Sequence, residues 1–160
     1  MLLIILMGSC RADLESKNWA SKNLKDQESL AVIPGIFELH YVENDAIAFS
    51  LLHSLEEGIR LPLILVLSMA ATSIIIVLIW IWRHRPFKEL LPLILILGGA
   101  LGNVIDRINN RYVVDFIFFH YKNINFPIFN VADILVFWGI LLLMYYYWKG
   151  AYRHSSKVIE

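Results

Sequence analysis

The chain has 160 residues, 58% of them hydrophobic and 18% charged, with a mean hydropathy of +0.61. Soluble domains are about 45–50% apolar, so this excess, gathered into long runs, excludes an ordinary water-soluble globule and makes a bilayer the solvent for much of the chain. Fourteen basic residues balance fourteen acidic ones, leaving no cationic footprint for nucleic acid, and the single cysteine, Cys10, excludes an internal disulfide.

The length suits one integral membrane domain over residues 1–160. Residues 2–20 begin apolar and turn polar at Arg11, Asp13, Glu15 and Lys17, with Lys22 just beyond. Met7-Gly8-Ser9-Cys10 faintly resembles a lipoprotein cleavage box, but there is no basic n-region and the apolar core is shorter than the roughly 7–15 residues of a signal peptide. As a spanning helix this segment crosses only if Asp13 and Lys17, four apart on one face, pair with each other or face a polar interior. Otherwise it is an interfacial helix.

Pro34-Gly35 punctuates the next stretch. Phe37, Leu39 and Tyr41 then alternate with Glu38, His40 and Val42, which predicts a strand or two at the membrane surface. Asn44 to Ser50 reads as the return of this small sheet, and a short surface helix through His53, Glu56 and Glu57 leads to Arg60. Residues 61–82 are uncharged and long enough to cross about 30 Å of hydrocarbon. Arg83-His84-Arg85-Pro86-Phe87-Lys88 closes that span, residues 89–106 form the next, and 129–148 the last. Tyr145, Tyr146, Tyr147 and Trp148 make an interfacial belt before Lys149, Arg153 and Lys157.

The fold expected is an α-helical membrane protein with four transmembrane helices, a small extracytoplasmic β-sheet and a short surface helix. The basic loop at 83–88 and the basic tail belong in the cytoplasm by the positive-inside rule. Both termini are then cytoplasmic, and residues 23–60 and 107–128 lie outside.

That topology carries Asp106, Asp115 and Asp133 to the outer leaflet. Asn103 and Asp106 are three apart, as are Asn130 and Asp133, so each amide shares a helical face with its acid. Gly98, Gly99 and Gly102 allow a close helix approach. Polar groups in apolar segments cost several kcal/mol unless paired or wetted, so an intramembrane functional site is the default reading. The structural alternative is a set of ion pairs with Arg107, Arg111 or Lys122 that only staples helices.

Asp115, between Val113-Val114 and Phe116-Ile117, and Asp133, between Ala132 and Ile134, have no adjacent cation. Brought together, two such carboxylates share one proton. One then serves as general base on water while the other polarises a carbonyl, the logic of an aspartic protease, with no metal required. No His-Glu-x-x-His or Gly-x-Ser-x-Gly motif competes, and His40, His53, His84, His120 and His154 are scattered.

Several ordered motifs are similar to those of the bacterial lipoprotein signal peptidases, signal peptidase II. Gly98 to Arg107 resembles the family's Gly-Gly-Ala-x-Gly-Asn-x-x-Asp-Arg, Val113 to Phe116 its Val-Val-Asp-Phe, and Phe126 to Asp133 its Phe-Pro-x-Phe-Asn-x-Ala-Asp. Asp13 to Lys17 resembles Asp-Gln-x-Thr-Lys, with Leu14 and Ser16 departing. Asn44 to Ser50 resembles Asn-x-Gly-Ala-Ala-Phe-Ser, with Ala46 and Ile47 departing.

The resemblance implies a cofactor-free aspartyl endopeptidase of the bacterial inner membrane. It would cut the signal peptide from prolipoproteins just before a diacylglyceryl-modified cysteine at the outer leaflet. It places the catalytic dyad on Asp115 and Asp133. Asn44, Asn103, Arg107 and Asn130 would hold substrate or a globomycin-type inhibitor, and Asp13, Lys17 and Asp106 would support them. Membrane lipid would deliver the substrate sideways, onto the sheet as its cradle. The alternatives are a small transporter or proton channel using its buried carboxylates, and an assembly subunit whose acids only hold partner helices.

Overall fold

A computed structural model describes residues 1–45 and 56–156. In chain order these form α1 (Leu2–Asn23), β1 (Leu30–Ile33), β2 (Phe37–Asn44), α2 (Glu57–Ile81), α3 (Phe87–Asn110), β3 (Val113–Tyr121), β4 (Ile124–Asn125) and α4 (Val131–Ser156). Three helical segments, Gly58–Ile81, Phe87–Asn110 and Val131–Lys149, are long and apolar enough to cross a membrane. α1, about 33 Å long at 1.5 Å per residue, falls short in composition because of the charges from Arg11 onward.

α3 is the central helix: 61% of its most apolar stretch is buried, against 11% for α2 and for α4. Leu90, Leu93, Ile94, Ile96, Leu97 and Val104 supply its buried apolar face. Glycines set how near the neighbouring helices come. A Cβ at Gly99 would run into the carbonyl oxygen of Ala132, and one at Gly102 into the Asp13 carboxylate. Backbone oxygen cannot give way as a side chain can, so α4 crosses α3 where it does because position 99 has no side chain. Among the helices α2 packs chiefly against α3, and it leaves Val66, Met69, Ile76 and Trp80 on the outside, as lipid contact requires.

The sheet is antiparallel, in the order β1-β2-β3-β4. Gly35, at φ 76°, supplies the left-handed residue for the turn between β1 and β2. Arg111 caps α3 at φ 70° and reverses the chain into β3 within two residues. Ala20, Leu24, Val114 and Phe116 close a small core between the end of α1 and the sheet. Isolated hydrogen bonds join Phe129 to β3, from Ile117 N–H to its carbonyl at 2.8 Å and from its own N–H to the Ile117 carbonyl at 3.1 Å.

Three expectations need correction. β3 and β4 occupy the stretch expected as a plain connection, so half of the sheet comes from residues 113–125. Glu57 opens α2 itself, and Glu56 is its N-cap, instead of both sitting in a separate surface helix. α4 begins at Val131, which leaves Asn130 as its cap and not on its face. The remainder of the expected surface helix, His53 included, and the cradle motif from Ala46 to Ser50 lie outside the described residues.

Candidate active site

The first turn of α4 organises the polar cluster. Asn130 Oδ1 accepts the Asp133 N–H at 3.0 Å, and Asp133 Oδ2 accepts the Asn130 N–H at 3.1 Å. This is a capping box built from Asn and Asp in place of Ser and Glu. Asp13, reaching over from α1, accepts the Ala132 N–H on its Oδ1 at 2.7 Å. The N–H groups that a helix start leaves without partners are thus met by two acids and one amide oxygen, and the acids stand at the end where the helix dipole favours negative charge.

Asp115 sits near the start of β3, paired in register with Val42. Because Phe129 is bonded to β3 one pair further on, Asn130 arrives beside it, and its Nδ2 donates to Asp115 Oδ1 at 2.6 Å. Asn44, at the end of β2, donates to the other oxygen at 2.7 Å. The residue is 3% exposed. Burial pushes its carboxyl up from 3.8 to about 6; the Asn44 hydrogen bond opposes that shift, the Asp133 charge adds to it, and the Asn130 bond opposes it again.

Lys17 lies at the centre of the second half of the cluster. Its ammonium is 2.8 Å from Asp13 Oδ2, 3.1 Å from Asp106 Oδ2 and 2.8 Å from Asn103 Oδ1. Asp106 also accepts the Val114 N–H at 3.3 Å, tying α3 to β3 one residue before Asp115. Asn103 Nδ2 donates to Asp133 Oδ1 at 3.1 Å, and Asn130 Nδ2 lies 3.3 Å from Asn103 Oδ1.

Asp13, Lys17, Asn44, Asn103, Asp106, Asp115, Asn130 and Asp133 therefore form one connected network, drawn from α1, β2, α3, β3 and α4. Arg107 donates to the Asn103 backbone carbonyl at 3.2 Å and lies within electrostatic reach of Asp115, Asp133 and Asp106. It also lines a groove of about 610 Å³ with Gly58, Leu61, Pro62, Leu65, Ile108 and Arg111. The cation beside Asp106 is Lys17 from another helix. The bond from Asp13 to α4 has no sequence signal, since it spans 119 positions. The reciprocal cap could have been found, because Asn-x-x-Asp before an apolar run is a capping-box spacing.

Apolar helices, a small antiparallel sheet and a carboxylate pair, one buried and one half-buried, joined by asparagines define a membrane protein whose polar chemistry is gathered at one end of α3 and α4. Residues 4–149 match the family described as Signal peptidase (SPase) II, and the chain belongs to that family. It is 38% identical to the lipoprotein signal peptidase of Clostridium tetani, with all of both chains covered. It is 35% identical to that of Syntrophotalea carbinolica over 98% of this chain and 96% of the other. A solved structure described as a bacterial membrane enzyme superposes with a TM-score of 0.77 at 25% identity, covering 94% of this chain and 88% of the other.

Proposed function

We propose that this protein is an aspartic endopeptidase that removes the signal peptide from diacylglyceryl-modified prolipoproteins, cleaving before the lipid-modified cysteine. The observation that carries the proposal is the joining of Asp115 and Asp133 through one residue, Asn130, in a buried site of a chain belonging to the signal peptidase II family. One carboxylate, ionised, takes a proton from a water molecule, which attacks the scissile carbonyl. The other, protonated, donates to the carbonyl oxygen as it becomes negative. The tetrahedral intermediate then collapses and the proton passes to the departing amine. No metal takes part in this scheme, and among the described residues no three His, Cys, Asp or Glu are grouped to hold one.

α1 is the fourth membrane span in this proposal. Its Asp13 and Lys17 are buried against α3 and α4, while Leu3, Ile4 and Met7 are exposed, so the charges that would forbid crossing are paired inside. With the 83–88 loop cytoplasmic, both termini lie in the cytoplasm and the dyad faces the outer leaflet of the inner membrane. The substrate's acyl chains remain in lipid, and the groove beside Arg107 is the lateral approach. Asn44, Asn103, Arg107 and Asn130 line the substrate position, where a globomycin-type inhibitor would also bind. Family membership leaves the transporter reading without support.

The test is cleavage by purified protein in lipid of a prolipoprotein with and without its diacylglyceryl group, each with and without chelator. Cutting only of the lipidated form, unaffected by chelator, is expected. Ion flux without cutting, or loss of cutting on chelation, would refute the proposal.

A further inference from the structure

Lys17 belongs to a helix that contributes neither member of the carboxylate pair, and its ammonium is only 2% exposed. An ammonium carries three donors and no acceptor. That of Lys17 is ion-paired with Asp13 and Asp106 and donates a hydrogen bond to Asn103. The Asn103 atom that faces it must therefore be the carbonyl oxygen, because the flipped amide would set NH2 against NH3⁺. With that oxygen fixed, the Asn103 NH2 is turned toward Asp133 Oδ1, 3.1 Å away. The Asn130 amide is pinned independently: its oxygen holds the Asp133 N–H, so its NH2 turns to Asp115.

We infer that Lys17 is a positioning residue for peptide cleavage, fixing the Asn103 amide so that its NH2 holds Asp133 as the carboxylate that takes the proton from water. The inference rests on Asp115 and Asp133 being the dyad. Asp133 suits the base role on two further counts: its other oxygen accepts a backbone N–H, and it stands in the first turn of α4, where the dipole favours an anion. Asp115, buried near the start of β3 and pushed toward its protonated form by burial, is left as the acid. The charged and titratable groups around Lys17 and Asn103 are Cys10 and Asp13 on α1, Asp106 and Arg107 on α3, Asp133 on α4 and Asp115 on β3.

A hydrogen bond donated to a carboxylate favours its ionised form, so losing the Asn103 bond weakens the hold on the ionised group that takes the proton from water. The acid limb of kcat/KM then moves up. The measurement is that pH profile on a diacylglyceryl-modified prolipopeptide for three proteins besides the parent. They are Asn103→Ala, Asp133→Asn, and a neutral network variant combining Lys17→Met, Asp13→Asn and Asp106→Asn. The neutral variant leaves no buried charge unpaired. It removes two carboxylates with the one ammonium, so lost charge alone would leave the limb in place or lower it.

Release of the Asn103 amide predicts the opposite, a rise of about one pH unit in both Asn103→Ala and the neutral variant, with kcat falling more than KM changes. A limb that moves up in Asn103→Ala but not in the folded neutral variant overturns the role of Lys17. A limb unmoved in Asn103→Ala overturns the inference without need of the network variant. If Asp133→Asn cuts at the parent rate, it is the dyad reading that fails.

Discussion

Replacing Asp115 by Asn should stabilise the protein at neutral pH while abolishing cleavage. Its carboxyl is raised from 3.8 to about 6, mainly by burial. Holding it ionised in the folded protein therefore costs up to about 3 kcal/mol at 1.36 kcal/mol per pH unit. The substitution forfeits part of that gain, because both Asp115 oxygens accept amide N–H groups and an asparagine NH2 must face one of them. One lost hydrogen bond of about 1 kcal/mol leaves a net stabilisation of about 2 kcal/mol.

The sign follows from which state holds the proton. Between pH 3.8 and about 6 the folded protein keeps the Asp115 proton and the unfolded chain releases it. The parent's stability therefore falls with rising pH through that window, and the variant's does not. In thermal unfolding followed by tryptophan fluorescence in detergent, we expect the variant to melt about 4–8 °C above the parent near pH 7.5, with no advantage near pH 4. A variant less stable than the parent near pH 7.5, or an advantage of equal size at both pH values, would refute the burial argument.

Asn44→Ala removes a donor from the ionised form of Asp115, so that carboxyl should rise above about 6 and the alkaline limb of activity move up by about one pH unit; an unmoved limb in an active variant speaks against Asp115 as the acid. Gly99→Ala sets a methyl against the Ala132 carbonyl and should cost about 1–3 kcal/mol in unfolding experiments by forcing α3 and α4 apart. Asn130→Ala loses the cap of α4 together with the bridge between the carboxylates. It should cost about 1–2 kcal/mol of stability and, by the same loss, reduce kcat far more than the equivalent change at the exposed Asn109.

Long apolar runs made α2, α3 and α4 readable, because a bilayer demands about 20 such residues in succession. β3 is hard to read because its first four residues are all buried, with α1 and α3 against it. A strand covered on both faces loses the period-two alternation that made β2 visible. The sequence alone starts α2 too late, because Glu57 and Arg60 look like the end of a surface segment. In the structure Arg60 is buried and ion-paired with Asp45, so the helix continues through it. A spacing of three puts Asn130 and Asp133 on one helical face. A capping box has that same spacing, and the pattern alone does not separate the two. The acids and amides of the site were legible as residues because polar groups stand out against an apolar background, whereas their wiring through Lys17 depends on three helices meeting.

The central claim is that Asp115 and Asp133 together perform the cleavage. Its most direct test is a gel-shift assay of a diacylglyceryl-modified prolipoprotein with the parent, Asp115→Asn and Asp133→Asn, each shown by its melting transition to be folded. The account predicts cleavage by the parent and none above background by either variant. Cleavage at the parent rate by either folded variant would contradict it.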